Sequence, residues 1–209
     1  YLGLPIPVAK IVQIPQDFLS QIPDLPPLND NSNQFASLYV PNCLDGHQVT
    51  NVKNITNHHT LAYIILFDYW LGNTDRTRKN ILLEEIGADS YRLWTIDHAE
   101  VFSTYDWELA DLGTLPERVM KSAAHQLMAR FIQKEDEFYN ALEIIQTIPI
   151  LLIEEIVAMI PDDWNVTPEE RKGIVTVLLK RRDKILPKLM GSFLKKVYQP
   201  LHQENNDNS

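Results

Sequence analysis

Cysteine is nearly absent from this chain, which has a single cysteine, Cys43, among its 209 residues. One cysteine cannot form an internal disulfide, so nothing in the composition requires an oxidising compartment. Basic residues are also in deficit, because 19 lysines and arginines are set against 28 aspartates and glutamates and leave a net charge of −9. Such a chain lacks the basic surface that direct binding to nucleic acid or to an anionic membrane requires.

Long apolar runs are missing as well. The longest apolar stretch covers residues 61–71, which is too short to span a bilayer, and the chain shows no signal-peptide pattern. We therefore expect a cytoplasmic protein that binds neither nucleic acid nor membrane. With 44% hydrophobic residues, a chain of this length fits one domain with ample material for a core.

The most informative pattern lies in residues 66–98. An apolar helix is predicted to stop at Gly72, a polar loop follows, and two short apolar runs separated by turn residues predict a β-hairpin. Asn80 and Asp97 are equidistant from the midpoint of that hairpin, so we expect them to face each other. A bulge in the turn would slip this pairing by one residue, but both side chains would still share one end of the hairpin.

The side chains at this end of the hairpin suit one kind of chemistry. An amide oxygen and a carboxylate together make a site for Mg²⁺ carrying nucleotide phosphates. Asp75, in the loop that leads to the same end, is a candidate base for positioning a hydroxyl group. Arg76, Arg78 and Lys79 place three positive charges beside these groups, and such charges neutralise phosphate. The pattern predicts a phosphoryl-transfer site.

These residues also carry a resemblance to known proteins. The spacing Asp75-x-x-x-x-Asn80, followed by a hairpin and Asp97, resembles the catalytic loop and metal-binding aspartate of the protein-kinase-like superfamily. The run Leu71-Gly72-Asn73-Thr74-Asp75-Arg76, together with Ile96-Asp97-His98, more closely resembles the bacterial HipA-like kinases. Two earlier segments support that likeness, residues 2–7 and residues 35–40.

The resemblance implies an ATP- and Mg²⁺-dependent kinase that transfers the γ-phosphoryl group of ATP to a Ser or Thr hydroxyl of a protein substrate. It further implies that residues 34–54 include the hinge and the wall of the adenine pocket. The implied site residues are Asp75 as catalytic base, Asn80 and Asp97 as ligands of the metal and cofactor, Arg76, Arg78 and Lys79 as charge-stabilising catalytic residues, and Lys79 also as a nucleotide contact.

Two features depart from the kinase pattern. No glycine-rich phosphate loop is present, since Gly3 is isolated and Lys10 has no glycine-rich partner, and Thr77 stands where protein kinases commonly carry a lysine. The chain also begins at Tyr1 rather than methionine, so we interpret it as mostly a C-terminal lobe, with an N-terminal lobe missing or supplied by a partner protein. A catalytically weak or inactive kinase-like domain that binds nucleotide or a partner therefore stays open as an alternative.

A metal-dependent hydrolase is a third open function. It ranks last because the histidines lack a recognised ligand spacing such as His-x-x-x-His. Its expected ligands are Asp75, Asp97, His98 and either His58 or His59.

The predicted fold is mainly α with a small β-hairpin, an α+β arrangement similar to a protein-kinase-like C-terminal lobe. Residues 1–56 are expected to form an irregular region with a hinge-like segment, residues 57–202 the helical lobe, and residues 203–209 a disordered tail. Asn57 and Thr167 are predicted helix N-caps, and Pro187 is predicted to break or kink the last large helix. Helices are expected over residues 57–71, 115–133, 135–148, 150–160 and 168–186.

One charged residue falls inside the apolar helix. Asp68 lies among apolar neighbours, where an unpaired carboxylate would be costly to bury. Pairing with a basic residue of the following loop would remove that cost, and we predict an ion pair between Asp68 and Arg76.

Overall fold

The computed structural model of the chain describes residues 2–21, 33–49, 51–103, 107–113 and 122–207. They form an α+β fold in which helices predominate, as predicted. The strands are β1 (Ala9–Gln13), β2 (Asn33–Ser37), β3 (Cys43–Asp45), β4 (Asn54–Ile55), β5 (Ile81–Gly87) and β6 (Ser90–Thr95). The α-helices are α1 (Gln16–Leu19), α2 (Leu61–Leu71), α3 (Ala123–Ala129), α4 (Asp136–Thr147), α5 (Ile150–Ala158), α6 (Pro168–Lys180), α7 (Leu186–Phe193) and α8 (Gln199–Asp207).

The strands form two separate sheets. One is the antiparallel pair β1–β2, and the other has the strand order β3-β5-β6-β4, with β4 parallel to β6 and the remaining pairs antiparallel. The prediction of an irregular region over residues 1–56 was wrong in part, because strands β1 to β4 lie there. These strands have only two to five residues, and alternation over so few positions gives little sequence signal.

The predicted β5–β6 hairpin is present, but its register differs from simple counting. A bulge leaves Ile86 without a partner in β6 and shifts the pairing by one residue, because a bulge adds one residue to one strand only. At the open end, the Ile96 amide donates to the Asn80 carbonyl oxygen at 3.1 Å. Asp97 therefore lies one residue beyond the position opposite Asn80, which corrects the primary expectation that these two residues face each other.

Helix α2 forms the centre of the core. Its apolar residues cover nearly the whole circumference, so it is buried on almost every side and packs against α3, α4 and α7. Gly72 ends the helix as predicted, with a left-handed φ of 72° that glycine adopts without steric cost. The buried residues of this helix are Leu61, Ala62, Ile64, Ile65, Leu66, Asp68, Tyr69 and Trp70.

The start of α2 differs from the prediction. Asn57 gives no side-chain cap to the helix, because a short 3₁₀ turn (His58–Thr60) precedes α2. The Asn57 side chain instead donates to the carbonyl oxygen of Leu93 and accepts from its amide, both at 2.9 Å. It therefore attaches the start of the helix to strand β6.

The C-terminal half is helical, and its starting signal was predicted correctly. Thr167 and Glu170 form a capping box, in which the Thr167 hydroxyl accepts from the Glu170 amide at 3.2 Å and the Glu170 carboxylate accepts from the Thr167 amide at 2.7 Å. Helices α4 and α5 lie within the predicted ranges. Of the helix predicted over residues 115–133, only α3 is helical among the described residues: Ser122 is its extended N-cap, and residues 130–133 lie beyond its end. Residues 115–121 lie outside the described residues.

Pro187 does not end the helical chain. A π-helical segment, Arg181–Ile185, joins α6 to α7, and a second one, Leu194–Tyr198, joins α7 to α8. The wider π turn lies directly before the proline, whose missing N–H would interrupt a regular α-helix. Helix α8 then continues to Asp207, into the stretch expected to be a disordered tail. Among the helices described here, none is long and apolar enough to cross a membrane.

Candidate functional site

The candidate site lies where the loop 72–80, leaving α2, meets the open end of the β5–β6 hairpin. Asp75 and Asn80 are joined there, because the Asn80 side-chain amide donates to Asp75 Oδ2 at 2.8 Å and to the Asp75 carbonyl oxygen at 2.6 Å. The Asp75 amide in turn donates to Asn73 Oδ1 at 3.1 Å. Within the described parts of the chain, Oδ1 of Asn80 has no hydrogen-bond donor, so this oxygen is available to a ligand.

Asp68 is the centre of the buried network beneath this loop. Its Oδ2 atom accepts from Arg76 Nε and contacts His125 Nε2, both at 2.8 Å. Its Oδ1 atom accepts from Asn73 Nδ2 at 2.9 Å and from Arg76 Nη2 at 3.1 Å. The predicted Asp68–Arg76 ion pair is confirmed, and both side chains are almost completely buried.

The ionisation of Asp68 follows from these contacts. Burial alone would raise the pKa of its carboxyl group, but the hydrogen bond from His125 and the positive charge of Arg76 outweigh burial and hold the pKa well below its ordinary value of 3.8. The adjacent Tyr69 responds in the opposite direction, since burial and the charge of Asp68 raise the pKa of its phenol. Asp68 is therefore an anion at neutral pH and remains a counter-ion for Arg76.

Arg76 is buried, and its guanidinium group bonds to other parts of the protein rather than facing solvent. Besides its two contacts with Asp68, Nη1 donates to the carbonyl oxygens of Asn80 at 2.9 Å and Ile96 at 2.7 Å. Four of its five N–H donors are thus used within the protein, and only 1% of the residue is exposed. This burial argues against direct contact with a phosphate, so any charge stabilisation by Arg76, the role predicted for it, would act from beneath the site. The guanidinium instead links Asp68 to the ends of both hairpin strands.

The other two cations lie in the short 3₁₀ turn Arg78–Asn80. The side chain of Lys79 is exposed and that of Arg78 is half-buried. A tight turn after β3 supports their backbone, because the Gly46 amide donates to the Arg78 carbonyl oxygen at 2.8 Å. A Cβ atom on Gly46 would lie 2.8 Å from that same oxygen, so this contact requires glycine.

Asp97 follows β6 with its side chain exposed at the edge of the site. Its backbone has a left-handed φ of 52°, a conformation that aspartate tolerates better than most residues. The neighbouring His98 packs edge-on against the ring of Phe67, with centroids 6.4 Å apart. Burial and the charge of Arg76 lower the pKa of His98, against opposing effects of the carboxylates Asp68 and Asp97.

A cavity of about 550 Å³ opens beside Asp97. The sheet β1–β2 forms one wall, α2 forms another, and the chain after β6 forms the base. Its volume lies within the range of small-molecule sites, and its mostly apolar lining with a few polar groups is typical of them. The lining residues are Leu4, Ile6, Pro7, Ala9, Phe35, Ser37, Phe67, Leu71, Thr95, Ile96, Asp97, His98, Ala99 and Val101.

Arg181 fixes the junction between α2 and the loop. Its Nη1 atom donates to the last carbonyl oxygens of α2, at 2.8 Å to Leu71 and 3.4 Å to Trp70, and Nη2 donates to Leu112 at 3.1 Å. A cation at a helix C-terminus also interacts favourably with the helix dipole. Burial lowers the pKa of this guanidinium to about 10, so it remains charged at neutral pH.

The residues expected for a metal-dependent hydrolase are not brought together. His58 and His59 lie just before α2, whereas Asp75 follows its far end, and eleven helical residues separate these ends by about 16 Å. The described ranges contain no group of three or more His, Cys, Asp and Glu side chains placed to hold a metal ion. The geometry thus gives no support to that alternative.

The sequence did not reveal two residues that contact the site from α3. His125 reaches Asp68 across 57 residues of chain, and the Ser122 hydroxyl donates to the Arg76 carbonyl oxygen across 46 residues at 2.5 Å. No local spacing marks such distant partners. Asn73, by contrast, lies inside the motif that carried the family resemblance.

Comparison with known proteins agrees with that resemblance. The family model described as HipA-like kinase matches residues 1–193. No curated protein and no solved structure matches the chain significantly. Since the family model covers most of the chain, the predicted relationship is confirmed, and the chain belongs to the family of HipA-like kinases.

Proposed function

We propose that this chain is a kinase domain that uses ATP and Mg²⁺ and transfers the γ-phosphoryl group to a Ser or Thr hydroxyl of a protein. Family membership supports kinase activity in general. The observation that carries the finer proposal is the hydrogen-bonded pair of Asp75 and Asn80 at the end of the hairpin, with Asp97 at the edge of a cavity large enough for a small molecule.

The oxygen donors fit a magnesium ion. Both side-chain N–H bonds of Asn80 point to Asp75, which directs Oδ1 of the amide away from Asp75. Asp97 adds an exposed carboxylate close to the same end of the hairpin. Mg²⁺ in nucleotide sites is typically held by one or two such oxygens, with phosphates and water completing its shell, and it supplies neutralisation of phosphate charge.

Asp75 is the proposed base that orients the acceptor hydroxyl and receives its proton. Asn80 fixes one oxygen of its carboxylate, and Asn73 fixes its backbone, so the group is held in one orientation before substrate arrives. Such pre-organisation lowers the entropic cost of reaching the reactive geometry. Lys79 and Arg78 are the proposed charge-stabilising residues, because their side chains are less buried than that of Arg76.

The cavity is the proposed site for the nucleotide base. Two aromatic side chains line it from different elements, Phe35 on β2 and Phe67 on α2. Apolar walls of this kind bury a planar ring, and the polar edge at Asp97 lies where phosphates would leave the cavity. In this proposal, the β1–β2 sheet and the segments next to it form the hinge and the wall of the adenine pocket.

Calorimetric titration of a non-hydrolysable ATP analogue with Mg²⁺, together with a phosphate-transfer assay, tests this proposal. Asp97→Asn should abolish magnesium-dependent binding, because it removes a charged ligand. Asp75→Asn should preserve binding and lower transfer by about 10²–10⁴-fold, the usual contribution of a general base. Asp136→Asn, the same change at an exposed position of α4, is the control and should alter neither measurement.

The outcomes separate the proposal from its alternative. Thr77, exposed beside the site, and the lack of a glycine-rich loop favour the catalytically weak kinase-like domain. Magnesium-dependent binding without transfer by the wild-type chain would establish that alternative. No binding by the wild-type chain would overturn the nucleotide site itself.

A further inference from the structure

The N-terminal end of α3 makes one contact with the candidate catalytic loop and one with the buried Asp68 beneath that loop. The Ser122 hydroxyl donates to the carbonyl oxygen of Arg76, and it also caps α3 by accepting from the His125 amide at 3.1 Å. One turn further along, the His125 ring reaches the Asp68 carboxylate. The N-terminal end of α3 is therefore attached both to the loop and to the buried anion beneath it.

Packing alone does not explain why residue 125 is a histidine. The residue is completely buried, and its ring lies edge-on to Tyr69 with centroids 5.3 Å apart, which fixes its orientation. Nε2 donates to Asp68, whereas Nδ1 is buried and has no hydrogen-bond partner in the described parts of the chain. An unmet buried nitrogen is unfavourable, and an apolar side chain of similar size would avoid that cost.

The contact that His125 makes has consequences along the network. Donation to Oδ2, together with the two contacts of Arg76, fixes the rotation of the Asp68 carboxylate, and this rotation places Oδ1 against Asn73. Asn73 uses its other side-chain atom to hold the amide of Asp75. A continuous path of hydrogen bonds therefore runs from α3 to the backbone of the proposed base.

The path reaches Asp75 without passing through Asn80, the proposed metal ligand that donates to Asp75, and it does not extend to the cavity. No residue of α3 lines the cavity beside Asp97, and neither Ser122 nor His125 contacts Asn80 or Asp97 in the described structure. A change at the end of α3 should thus affect the orientation of Asp75 more than the binding of nucleotide.

We propose that His125 is a positioning residue for Asp75, and that the Ser122–His125 end of α3 controls the rate of phosphoryl transfer without setting nucleotide affinity. This inference rests on the proposed function of the site.

Two substitutions of His125 test whether its hydrogen bond to Asp68 matters for catalysis. His125→Leu removes the hydrogen bond and should lower kcat about 10- to 100-fold, since small misplacements of a catalytic group have effects of this size. KM for ATP should change less than about threefold, because the lost interaction acts on the transition state. His125→Gln keeps a donor for Asp68 and should restore most of kcat. Equal loss in both variants, or a parallel loss of binding, would overturn the proposal.

Amide hydrogen exchange provides a readout that does not require activity. In His125→Leu, exchange of the Asp75 amide and its neighbours in residues 73–80 should accelerate, while exchange in β5 and β6 away from the site stays unchanged. If exchange accelerates in His125→Leu but the wild-type chain transfers no phosphate, the positioning role stands and the proposed kinase activity is rejected. Unchanged exchange would reject the positioning role itself.

A milder variant protects the test against misfolding. Ser122→Ala removes the direct hydrogen bond between the N-cap of α3 and the loop, together with the cap itself. It should also accelerate exchange of residues 73–80. If His125→Leu does not fold, this variant decides the question. If residues 73–80 of Ser122→Ala exchange at the same rate as in the wild type, control of the loop by α3 is refuted.

Discussion

Replacing Asp68 by asparagine should be among the most destabilising single changes in this protein. The substitution keeps the shape of the side chain but leaves the Arg76 guanidinium buried without its counter-ion. It also turns one acceptor oxygen into an N–H₂ group that faces donors from Arg76, His125 or Asn73. Breaking a buried, hydrogen-bonded ion pair from one side costs about 3–5 kcal/mol.

Urea and thermal unfolding measure this loss. For a chain of this size each kcal/mol corresponds to about 2–4 °C in Tm, so we expect a fall of about 6–20 °C. The control is the exposed ion pair of Lys53 and Asp89, which lie 2.6 Å apart with 69% and 34% of their side chains exposed. Lys53→Gln should cost no more than about 1 kcal/mol, because solvent screens such pairs.

The pH dependence gives the expected loss a signature. The pKa of Asp68 is lowered in the folded protein, so its contribution to the free energy of unfolding is complete above its unfolded pKa near 3.8 and declines as pH falls further. The difference between wild type and Asp68→Asn should therefore be constant near neutral pH and shrink below about pH 4. A loss under about 1 kcal/mol at pH 7, equal to that of the surface control, would refute the assigned role of this pair.

Four further substitutions are predicted, three of them tested by the same unfolding measurements and Gly46→Ala also by activity. Gly72→Ala should lower the free energy of unfolding by about 1–3 kcal/mol, because a φ of 72° is unfavourable for alanine and the added Cβ would lie 2.9 Å from Arg181 Nη1. Gly191→Ala lies in a helix with open space around the added Cβ, and it should raise the free energy of unfolding by about 0.5–1 kcal/mol. Gly46→Ala should displace the turn carrying Lys79 and lower phosphoryl transfer, measured as kcat, more than it lowers Tm. Thr167→Ala should cost about 1 kcal/mol through loss of the capping box, and an unchanged midpoint would show that this cap contributes nothing.

Elements encoded by neighbouring residues could be predicted from the sequence. The apolar circumference of α2, the stop at Gly72 and the capping box at Thr167 depend on contacts within a few positions of the chain. The Asp68–Arg76 pair was also predictable, because a buried carboxylate needs a partner and a basic residue follows within one loop. The resemblance to HipA-like kinases was likewise recognised from local motifs.

Features set by distant parts of the chain could not be predicted in this way. His125 is recruited to Asp68 only when α3 packs against α2, and β2 pairs with β1 across a proline-rich stretch. The bulge at Ile86 moved Asp97 relative to Asn80, because hairpin counting assumes an uninterrupted ladder. The burial of Arg76 changed its expected role, since charge in a sequence does not show whether a side chain faces solvent.

The π-helical segment Arg181–Ile185 makes the helical rod from α6 to α8 sensitive to its residue count. Each residue of an α-helix advances the direction of the side chains by about 100°, and a π turn contains one residue more than an α turn. Removing one residue from this segment would shorten the π turn to the length of an α turn and rotate every later side chain by that angle. Met190 and Phe193, now in the core, would then turn toward solvent, so this segment sets which face of the C-terminal helices packs against α2.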